Sequence, residues 1–483
     1  MKTMKYLMAG ALMVISSSAM AQVSLDDAIK AIKSNQDKKT VESIVKDAAK
    51  PYKKDAVALA KIGRAFLDVK DTLNTRKYAM MSVDAEKKLK EGKSGAGYIV
   101  LGDLEVFNDN PGDAASWYQN AIYFNPKNAE AYKKYAFIYR GRDPKQAAET
   151  LEQLRTVDPS YPVDAEKGHI YYMSATKNAS YMPLALESYQ KVQLPAMAKL
   201  ESYYMTEYAL VAFASQKFDK SKEIAEYGLQ SKPRNAGYNR LAMYNSVELK
   251  QYDDAVKYVD RLFNQSDSLT ATANDYKYAG LAYAGAGNAE KSLEMYEKQY
   301  EVSEGDAKVA VLKSLSDAYK AKDDYDKAIE KYKQYLVEKK ETTANDYAAL
   351  ANLYRQATKV KDQAGQIDCI NKAVDVYKEM IQKFPQSADY SNFMAARTIQ
   401  TLDPDQKKGL AVPYYEALYN SIDAAGIKDE KTDKPRISEA CQYLGIYAFK
   451  FKNDNATAKK YMEKLQSIDP DNALAKQILD AIK

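Results

Sequence analysis

The sequence T-A-N-D-Y at Thr272–Tyr276 returns unchanged at Thr343–Tyr347, and the chain between these two copies repeats itself once more. The twelve positions spanned by Gly280–Ser292 are matched by the twelve positions of Ser316–Ala328. Identical internal spacing at a period of roughly 34 residues is typical of stacked helix pairs. The pattern therefore predicts a repeat array and not a single globular core.

One repeat, residues 274–300, indicates how each unit forms two helices. The first helix carries a face whose members lie three and four positions apart: Tyr276, Ala279, Gly280 and Tyr283. Gly285 and Gly287 then favour a turn, and Asn288 can cap the helix that follows. The facing stripe of the second helix is Ser292, Met295, Tyr296 and Gln299. Such a pair leaves apolar surface on both sides, so it must stack on neighbours.

This pattern resembles the tetratricopeptide repeat family, in which helix A carries a bulky residue, Leu, Gly or Ala, and Tyr. Helix B of that family carries Ala, an aromatic residue and Ala before a closing Pro. The fullest match is Tyr98, Leu101, Gly102, Ala114, Tyr118, Ala121 and Pro126, with Glu105 at the position of the helix A tyrosine. The resemblance implies an all-α, right-handed superhelical solenoid of stacked antiparallel helix pairs.

The chain beyond this stretch is predicted to divide into four parts. Residues 1–21 are a signal peptide, and 22–54 form an N-terminal helical cap. Residues 55–472 form an array of about eleven repeats, least regular after residue 355. Within that array we expect Lys428–Arg436, which is charged and contains Pro435, to be a loop. Residues 473–483 form a C-terminal helix that shields the end of the array, as solenoids require.

The first residues have the three features of a secretory signal. Lys2 and Lys5 supply positive charge, Tyr6–Ile15 is apolar, and the small-residue motif A-M-A ends at Ala21. The apolar run is shorter than the ~20 residues that span a bilayer, and no later stretch approaches that length. We therefore expect a periplasmic or extracellular protein with no transmembrane segment in the mature chain.

The charge and the histidine content argue against two classes of function. The chain has 71 basic and 66 acidic residues, so its net charge of +5 lacks the basic excess typical of nucleic-acid binding. The only histidine, His169, is flanked by apolar and aromatic residues and is expected to be structural. No nucleophile motif, cofactor motif or metal-ligand motif accompanies it. The sequence therefore predicts a protein that is not an enzyme, without cofactor or metal.

The two cysteines, Cys369 and Cys441, belong to repeats with an entire unit between them. Neighbouring helices pack about 8–10 Å apart, so the separation should exceed the ~7 Å limit between the Cα atoms of a disulfide. We expect both thiols to be buried and free.

The 41 tyrosines suggest a sugar-binding surface, but most of them fall at packing positions of the repeat. These positions include Tyr276, Tyr283, Tyr296, Tyr319, Tyr332, Tyr347, Tyr354 and Tyr377. A tyrosine there places its ring in the core and its hydroxyl at a polar rim. We therefore interpret most of the tyrosines as structural.

The resemblance implies that helix A positions outside the packing set line a concave groove. The register gives an aromatic group: Phe107, Phe137, Tyr203, Phe213 and Tyr244. It also gives a basic group: Arg240, Lys277, Lys313, Lys320 and Arg355. The lysine-and-asparagine clamp with which some family members hold a terminal carboxylate is not matched, because Leu281 follows Lys277 one turn later.

Two functional hypotheses follow, with solvated surface lysines as the alternative to a basic site. The first is a non-enzymatic protein-interaction scaffold of the cell envelope, which binds a protein or peptide partner on its concave or edge surface. The basic group favours an acidic segment of that partner. The second is a glycan-binding or nutrient-uptake accessory protein, in which exposed aromatic rings stack on sugars.

The signal sequence makes a direct prediction about the mature N-terminus. Because the A-M-A motif ends at Ala21, we expect the exported protein to begin at Gln22. N-terminal sequencing of the protein from the producing cell checks this. Recovery of a cytoplasmic chain that retains Met1 would show that residues 1–21 do not direct export.

Overall fold

The computed structural model describes residues 23–34 and 37–482, and this part of the chain is helical nearly throughout. It contains no β-strand among these residues; an isolated bridge joins Asn235 and Asp267. The prediction of an all-α fold is confirmed. The predicted signal peptide, with its cleavage point between Ala21 and Gln22, lies outside the described residues.

The chain divides into two units, of which the first ends at Gly228 and the second begins at Leu229. The helices of unit 1 are α1 (Leu25–Lys33), α2 (Lys38–Ala49), α3 (Ala56–Asp68), α4 (Thr72–Lys87), α5 (Ala96–Phe107), α6 (Pro111–Phe124), α7 (Ala129–Tyr139), α8 (Pro144–Val157), α9 (Val163–Ala175), α10 (Met182–Gln190), α11 (Leu194–Met197), α12 (Ser202–Ala214) and α13 (Phe218–Ser231), whose last three residues belong to unit 2.

The helices of unit 2 are α14 (Ala236–Glu248), α15 (Tyr252–Asp260), α16 (Ala273–Gly285), α17 (Ala289–Val302), α18 (Gly305–Ala321), α19 (Tyr325–Glu338), α20 (Ala344–Ala357), α21 (Gln363–Lys383), α22 (Ala388–Ile399), α23 (Val412–Ala425), α24 (Asp433–Tyr447), α25 (Asn455–Ile468) and α26 (Ala473–Ile482). Short 3₁₀ or π turns interrupt or follow several helices, as at Ala179–Tyr181 and Arg261–Gln265.

Consecutive helices pack as antiparallel pairs, each with a first helix A and a second helix B. Eleven pairs lie between Ala56 and Ile468 in the described chain, with helix A as α3, α5, α7, α9, α12, α14, α16, α18, α20, α22 and α24. The two helices α1 and α2 pack on each other ahead of α3. In the pair α20 and α21, the link contains a 3₁₀ turn, Thr358–Val360, and helix B has 21 residues.

The predicted loop Lys428–Arg436 is shorter than expected, because α24 begins at Asp433. Pro435 is the third residue of this helix. A proline in the first helical turn removes an N–H group that has no partner within the helix, so it does not prevent the helix from starting. The expectation that Pro435 would keep the loop open was therefore wrong.

The twelve-residue spacing in the sequence corresponds to a hydrogen bond between helices A and B. The Ser292 hydroxyl donates to the Gly280 carbonyl at 3.0 Å, and the Ser316 hydroxyl donates to the Ala328 carbonyl at 2.8 Å. In unit 1 the Ser221 hydroxyl donates to the carbonyl of Ala209, again twelve positions away. All three serines are buried. The hydroxyls can reach the facing backbone because the two helices lie unusually close.

A glycine of helix A creates this close approach in three pairs. A Cβ atom added at Gly102, Gly168 or Gly280 would overlap the ring of Tyr118, Tyr189 or Tyr296, respectively. Each tyrosine lies on the helix B of the same pair and is buried. The small helix A residue of the repeat pattern therefore provides the space that the helix B aromatic ring fills.

Six pairs share one type of turn between helices A and B, a three-residue link whose middle residue has a positive φ. These middle residues are Lys70, Asp109, Gln216, Lys250, Gly287 and Asp323. The N–H group of the next residue donates back to the helix, as from Asn288 to the Tyr283 carbonyl at 2.8 Å. This is the Schellman arrangement, which closes the carbonyl end of a helix.

The third residue of this link then begins helix B. Asp71, Asn288 and Asp324 each accept a hydrogen bond from the backbone N–H three residues later. Asp323 is therefore a turn residue, and Asp324 is the N-cap of α19. Each link therefore ends one helix and starts the next within three residues.

The Gly102 contact makes a testable prediction about stability. In Gly102→Ala the new methyl group meets the Tyr118 ring, which is buried and held by a hydrogen bond to Asp103. We expect the free energy of unfolding to fall by about 1–3 kcal/mol through overpacking. The loss should occur although alanine is a better helix former than glycine by roughly 1 kcal/mol.

The matched control is Gly112→Ala in α6 of the same pair, where the added Cβ has no neighbour within 4 Å. Urea denaturation followed by circular dichroism measures both variants. Equal stability of the two variants would contradict the close packing of helices A and B at Gly102.

Candidate functional site

Tyrosine hydroxyls bound to carboxylates recur through both units. The pairs are Tyr118 with Asp103, Tyr189 with Glu207, Tyr204 with Glu166, Tyr244 with Asp275, Tyr278 with Glu248, Tyr319 with Glu297, Tyr335 with Asp346, and Tyr415 with Glu439. Burial raises the pKa of Tyr118, Tyr189 and Tyr244, and each bonded carboxylate raises it further. These tyrosines are structural donors, a role that the sequence analysis gave to Tyr319 among them.

Arg240, predicted to face a groove as a free cation, instead holds a buried carboxylate. Its Nε lies 2.6 Å and its Nη2 lies 2.8 Å from the two oxygens of Asp275, which is fully buried. Asp275 also forms a capping box with Thr272 at the start of α16. Burial raises the pKa of Asp275, but the bonds from Arg240, Thr272 and Tyr244 outweigh it and leave this pKa below its usual value.

Tyr244, predicted as an exposed aromatic residue, is 8% exposed and belongs to the same cluster. Its hydroxyl donates to Asp275 at 2.8 Å, and its ring stacks on Tyr278 with centroids 4.0 Å apart. The placement of Arg240 and Tyr244 outside the packing set was therefore wrong. The reason is that the T-A-N-D-Y stretch needs partners for its aspartate, and the preceding helix A supplies both.

The other members of the basic group differ in their surroundings. Lys320 forms an ion pair with Asp317 at 2.9 Å. Arg355 is half-buried, and its charge lowers the pKa of the buried Tyr377 against the larger effect of burial, which raises it. Lys277 and Lys313 are exposed and form no ion pair with any described residue. The structure therefore leaves two of the five as exposed, unpaired cations.

The aromatic group is better exposed in unit 1 than in unit 2. Phe107 on α5 is 48% exposed, Phe137 on α7 is 52% exposed and Tyr203 on α12 is 40% exposed. Phe213 is half-buried and packs edge-on against Phe218 with centroids 5.7 Å apart. Three of the five predicted aromatic residues therefore present large apolar surface to solvent.

Two exposed apolar residues of the same region were missed in the sequence. Met173 on α9 is 53% exposed, and Val106 on α5 is also exposed. The repeat that contains α9 matches the family pattern weakly, so its register gave no prediction for Met173. Met173 follows His169 by four positions, a spacing that places two residues on one helix face and could have indicated it.

His169 is a structural residue, as predicted. Its Nδ1 lies 2.9 Å from Glu207 Oε2, and the Tyr189 hydroxyl donates to the same oxygen at 2.6 Å. The bond to Glu207 raises the pKa of His169 against the opposing effect of burial. The histidine ring also contacts the Tyr203 ring, with centroids 5.0 Å apart. It therefore connects the buried Tyr–Glu pair to an exposed aromatic ring.

We define the aromatic face of unit 1 by Val106, Phe137, His169, Met173 and Tyr203, from the helices α5, α7, α9 and α12. Two cavities open along it and share Ile170 in their walls. The first, the central cavity, has a volume of about 380 Å³ and includes Val106 and Phe137. Its charges are paired: Asp103 with Lys134 at 2.9 Å, for example, and Lys133 with Asp158 at 2.9 Å.

The second cavity, the turn cavity, has a volume of about 400 Å³. It lies where the link between α7 and α8 meets the link between α9 and α10. Its wall is formed by Arg140, Gly141, Arg142, Pro144, His169, Ile170, Met173, Ser174, Thr176, Lys177, Asn178 and Tyr181. The Arg140 guanidinium lies 3.7 Å from the centre of the Phe137 ring, which joins this cavity to the aromatic face.

The two cysteines and the potential metal-binding side chains form no further candidate site among the described residues. Cys369 and Cys441 are buried and free, as predicted, and burial raises the pKa of both thiols. Among residues 23–34 and 37–482, no three His, Cys, Asp or Glu side chains are grouped to hold a metal ion. None of the helices in this part of the chain combines the length and apolarity that crossing a membrane requires.

The Arg240 pair predicts different effects for two members of the basic group. Arg240→Gln leaves the buried Asp275 without its charged partner, so the free energy of unfolding should fall on the order of 3 kcal/mol. Lys313→Gln, at an exposed and unpaired position of the same unit, should change it by less than about 0.5 kcal/mol. Thermal unfolding followed by circular dichroism compares the two. An Arg240→Gln variant as stable as Lys313→Gln would show that Arg240 is only a surface cation.

Comparison with known proteins gives similarity at the level of the fold. No family model and no curated protein sequence matches the chain. Similar solved structures include the C-terminal part of a TPR repeat-containing protein from Cytophaga hutchinsonii. The two sequences are 20% identical, the match covers 57% of this chain and 99% of that chain, and the TM-score is 0.43. A tetratricopeptide repeat protein from Parabacteroides merdae is 16% identical to this chain, and the TM-score is 0.32. The match covers 55% of this chain and 98% of that chain.

A third similar structure is PilW, a type IV pilus biogenesis factor, with 16% identity and a TM-score of 0.32. The match covers 46% of this chain and 100% of that chain. At these TM-scores the assignment of the fold depends on the chain's own helix pairs. Three of those pairs have the close glycine–tyrosine contact between helix A and helix B that the repeat pattern predicts.

Proposed function

We propose that this protein is a non-enzymatic scaffold of the cell envelope that binds a protein or peptide partner on the aromatic face of unit 1. The observation that supports this most directly is the exposure of Phe137, Met173 and Tyr203, from three helix A segments, beside two cavities. Large apolar side chains that are exposed together are typical of sites that bind a protein or another ligand.

The size and arrangement of the cavities favour a peptide chain as the ligand. Each volume is at the lower end of the range of small-molecule pockets, roughly 300–1,000 Å³. Two neighbouring cavities that share Ile170 can accept two side chains of one extended segment. The exposed rings of Phe137 and Tyr203 then supply rigid contact area, which is how aromatic residues act in protein interfaces.

The titratable groups around the face support binding and not catalysis. His169 and Tyr189 share Glu207, and Glu166 accepts the hydroxyl of Tyr204 at 2.5 Å. A general base must be within reach of the proton that it removes. Because these carboxylates are engaged by structural donors, we assign them to the support of the face.

The envelope location in this proposal depends on the signal pattern of residues 1–21. If that segment directs export, the partner is met in the periplasm or outside the cell. An acidic segment of the partner is favoured by Lys277 and Lys313, which are the unpaired members of the basic group in unit 2. Each exposed contact contributes little alone, about 0–1 kcal/mol, so an effect of these lysines is collective.

The test uses a photo-crosslinking amino acid placed at Phe137, at Tyr203 or, as the control, at Tyr123. Tyr123 is an aromatic residue of the same unit that is 76% exposed but lies on a helix B, α6. In the producing cell we expect one defined polypeptide to be crosslinked from Phe137 and Tyr203 and not from Tyr123. The crosslink should weaken when Phe137→Ala is combined with the crosslinker at Tyr203.

Equal crosslinking from all three positions, or none from Phe137 and Tyr203, would overturn the proposal. Crosslinked carbohydrate in place of polypeptide would favour the glycan-binding alternative, for which exposed Tyr203 and Phe137 would serve as stacking rings. A glycan array with the purified protein separates these two results, because only the alternative predicts a bound sugar.

A further inference from the structure

The turn cavity carries cations that no described carboxylate neutralises. Arg140, Arg142 and Lys177 lie in its wall, and none of them forms an ion pair with a described residue. No aspartate or glutamate is present among its wall residues. Arg142 and Lys177 are exposed, and Arg140 is held half-buried against the Phe137 ring. The cavity therefore has a positive rim.

This rim contrasts with the other cations near the helix A row of unit 1. Arg64 and Lys134 both pair with Asp103, and Arg155 pairs with Asp164 at 2.8 Å. The central cavity, which is adjacent, includes both Asp103 and Glu166 in its wall. The turn cavity thus differs from the central cavity, because its wall contains cations and no carboxylate.

The two consecutive pairs at the turn cavity lack the three-residue link that six other pairs share. Between α7 and α8 the link is Arg140–Asp143, and after α9 it is Thr176–Asn178, followed by a 3₁₀ turn. Neither link contains a residue with positive φ. The longer path of the chain holds the two links apart and places Arg142 and Lys177 at the mouth of the space between them.

The nearby acidic groups and helix ends do not cancel this charge. Asp143 is next to the cavity, but its carboxylate caps α8 by accepting from the Gln146 N–H at 3.1 Å. Glu207 is bound to His169 and Tyr189. The carbonyl ends of α7 and α9 are partly negative, while α8 presents its positive N-terminal end at Pro144. The three positive charges of Arg140, Arg142 and Lys177 exceed the one full negative charge of Asp143 together with these partial charges.

The wall of the cavity exposes more apolar than polar surface. Pro144 and Ile170 are buried, and the Met173 side chain is exposed at the border with the aromatic face. The Tyr181 ring stacks on the Tyr171 ring with centroids 5.9 Å apart, so its orientation is fixed. A ligand that fits this wall combines an anionic group with an adjacent apolar group.

We propose that the turn cavity binds a carboxylate of the partner peptide, with Arg140, Arg142 and Lys177 around the carboxylate and the next apolar side chain on Ile170 and Met173. Guanidinium groups suit this role because their planar N–H groups bind a carboxylate through two parallel hydrogen bonds. The inference rests on the proposed function and specifies the chemistry of its ligand. The carboxylate comes from a glutamate or aspartate side chain or from a chain end, and the experiment distinguishes these sources.

The experiment measures binding of three short peptides to the full mature chain by calorimetry at low salt. The first is acetyl-Ala-Leu-Glu-Leu-Ala-amide, which has only the side-chain carboxylate. The second replaces Glu with Gln, and the third keeps Gln but has a free C-terminal carboxylate. We expect the first peptide to bind at least tenfold more tightly than the second, and to lose affinity as salt is added. Tighter binding of the third peptide instead would assign the cavity to a chain end.

The variant that tests the site combines Arg142→Glu with Lys177→Glu, both at exposed turn positions where folding should be unaffected. The matched control combines Lys127→Glu with Lys199→Glu, which make the same change of charge at exposed positions of unit 1 outside both cavities. We expect the first variant to lose the tenfold preference for a carboxylate peptide and the control to keep it. Melting curves of both variants confirm that they are folded.

Three results would overturn the cavity assignment: equal binding of all three peptides, no binding of either carboxylate peptide up to about 1 mM, or equal loss in the two charge variants. If crosslinking from Phe137 and Tyr203 still captures one polypeptide, the proposed function stands and only the carboxylate site is rejected. If that crosslink is absent as well, the proposed function is rejected with it.

Discussion

The close contact between helix A and helix B is the constraint on which the rest of the structure depends. A glycine such as Gly102 or Gly280 admits the ring of a helix B tyrosine, and a buried serine such as Ser292 then reaches the facing carbonyl. Protein interiors are packed as densely as organic crystals. A side chain at the glycine position would therefore push helices A and B apart and also break the serine–carbonyl hydrogen bond between them. In two of these pairs the tyrosine hydroxyl also donates to a carboxylate, from Tyr118 to Asp103 and from Tyr189 to Glu207.

Those carboxylates engage many of the nearby cations and hydroxyl groups, so they decide which charged groups remain available to bind a partner. Asp103, Glu207 and Asp275 are each surrounded by donors from neighbouring helices. A buried carboxylate without such donors would be costly, so the core uses many of the cations and hydroxyl groups near the helix A row. Exposed lysines without an ion pair occur in both units, but the turn cavity brings Arg140, Arg142 and Lys177 together in one wall that contains no carboxylate. In unit 2 Lys277 and Lys313 remain exposed.

The irregular repeats are the ones that provide a candidate site. Six pairs use the same three-residue link, which closes helix A and caps helix B. The pairs α7/α8 and α9/α10 depart from it, and the turn cavity lies there. The exposed rings of Phe137 and Tyr203 belong to the same part of the chain. The regular repeats form the framework of this fold, and the irregular pairs α7/α8 and α9/α10 form the turn cavity with its positive charges.

The sequence by itself determined the all-α fold, the helix pairs and the structural role of most tyrosines, because spacing along a helix fixes which residues share a face. It also identified Phe137 and Tyr203 as exposed aromatic residues. It could not show that Arg240 and Tyr244 are partners of Asp275, which lies more than thirty positions later in the chain, or that Lys70 and Asp109 adopt a backbone conformation that usually favours glycine. The turn cavity was decided only by the tertiary structure, since it forms where two links distant in sequence meet, and no periodic pattern within either link records that meeting.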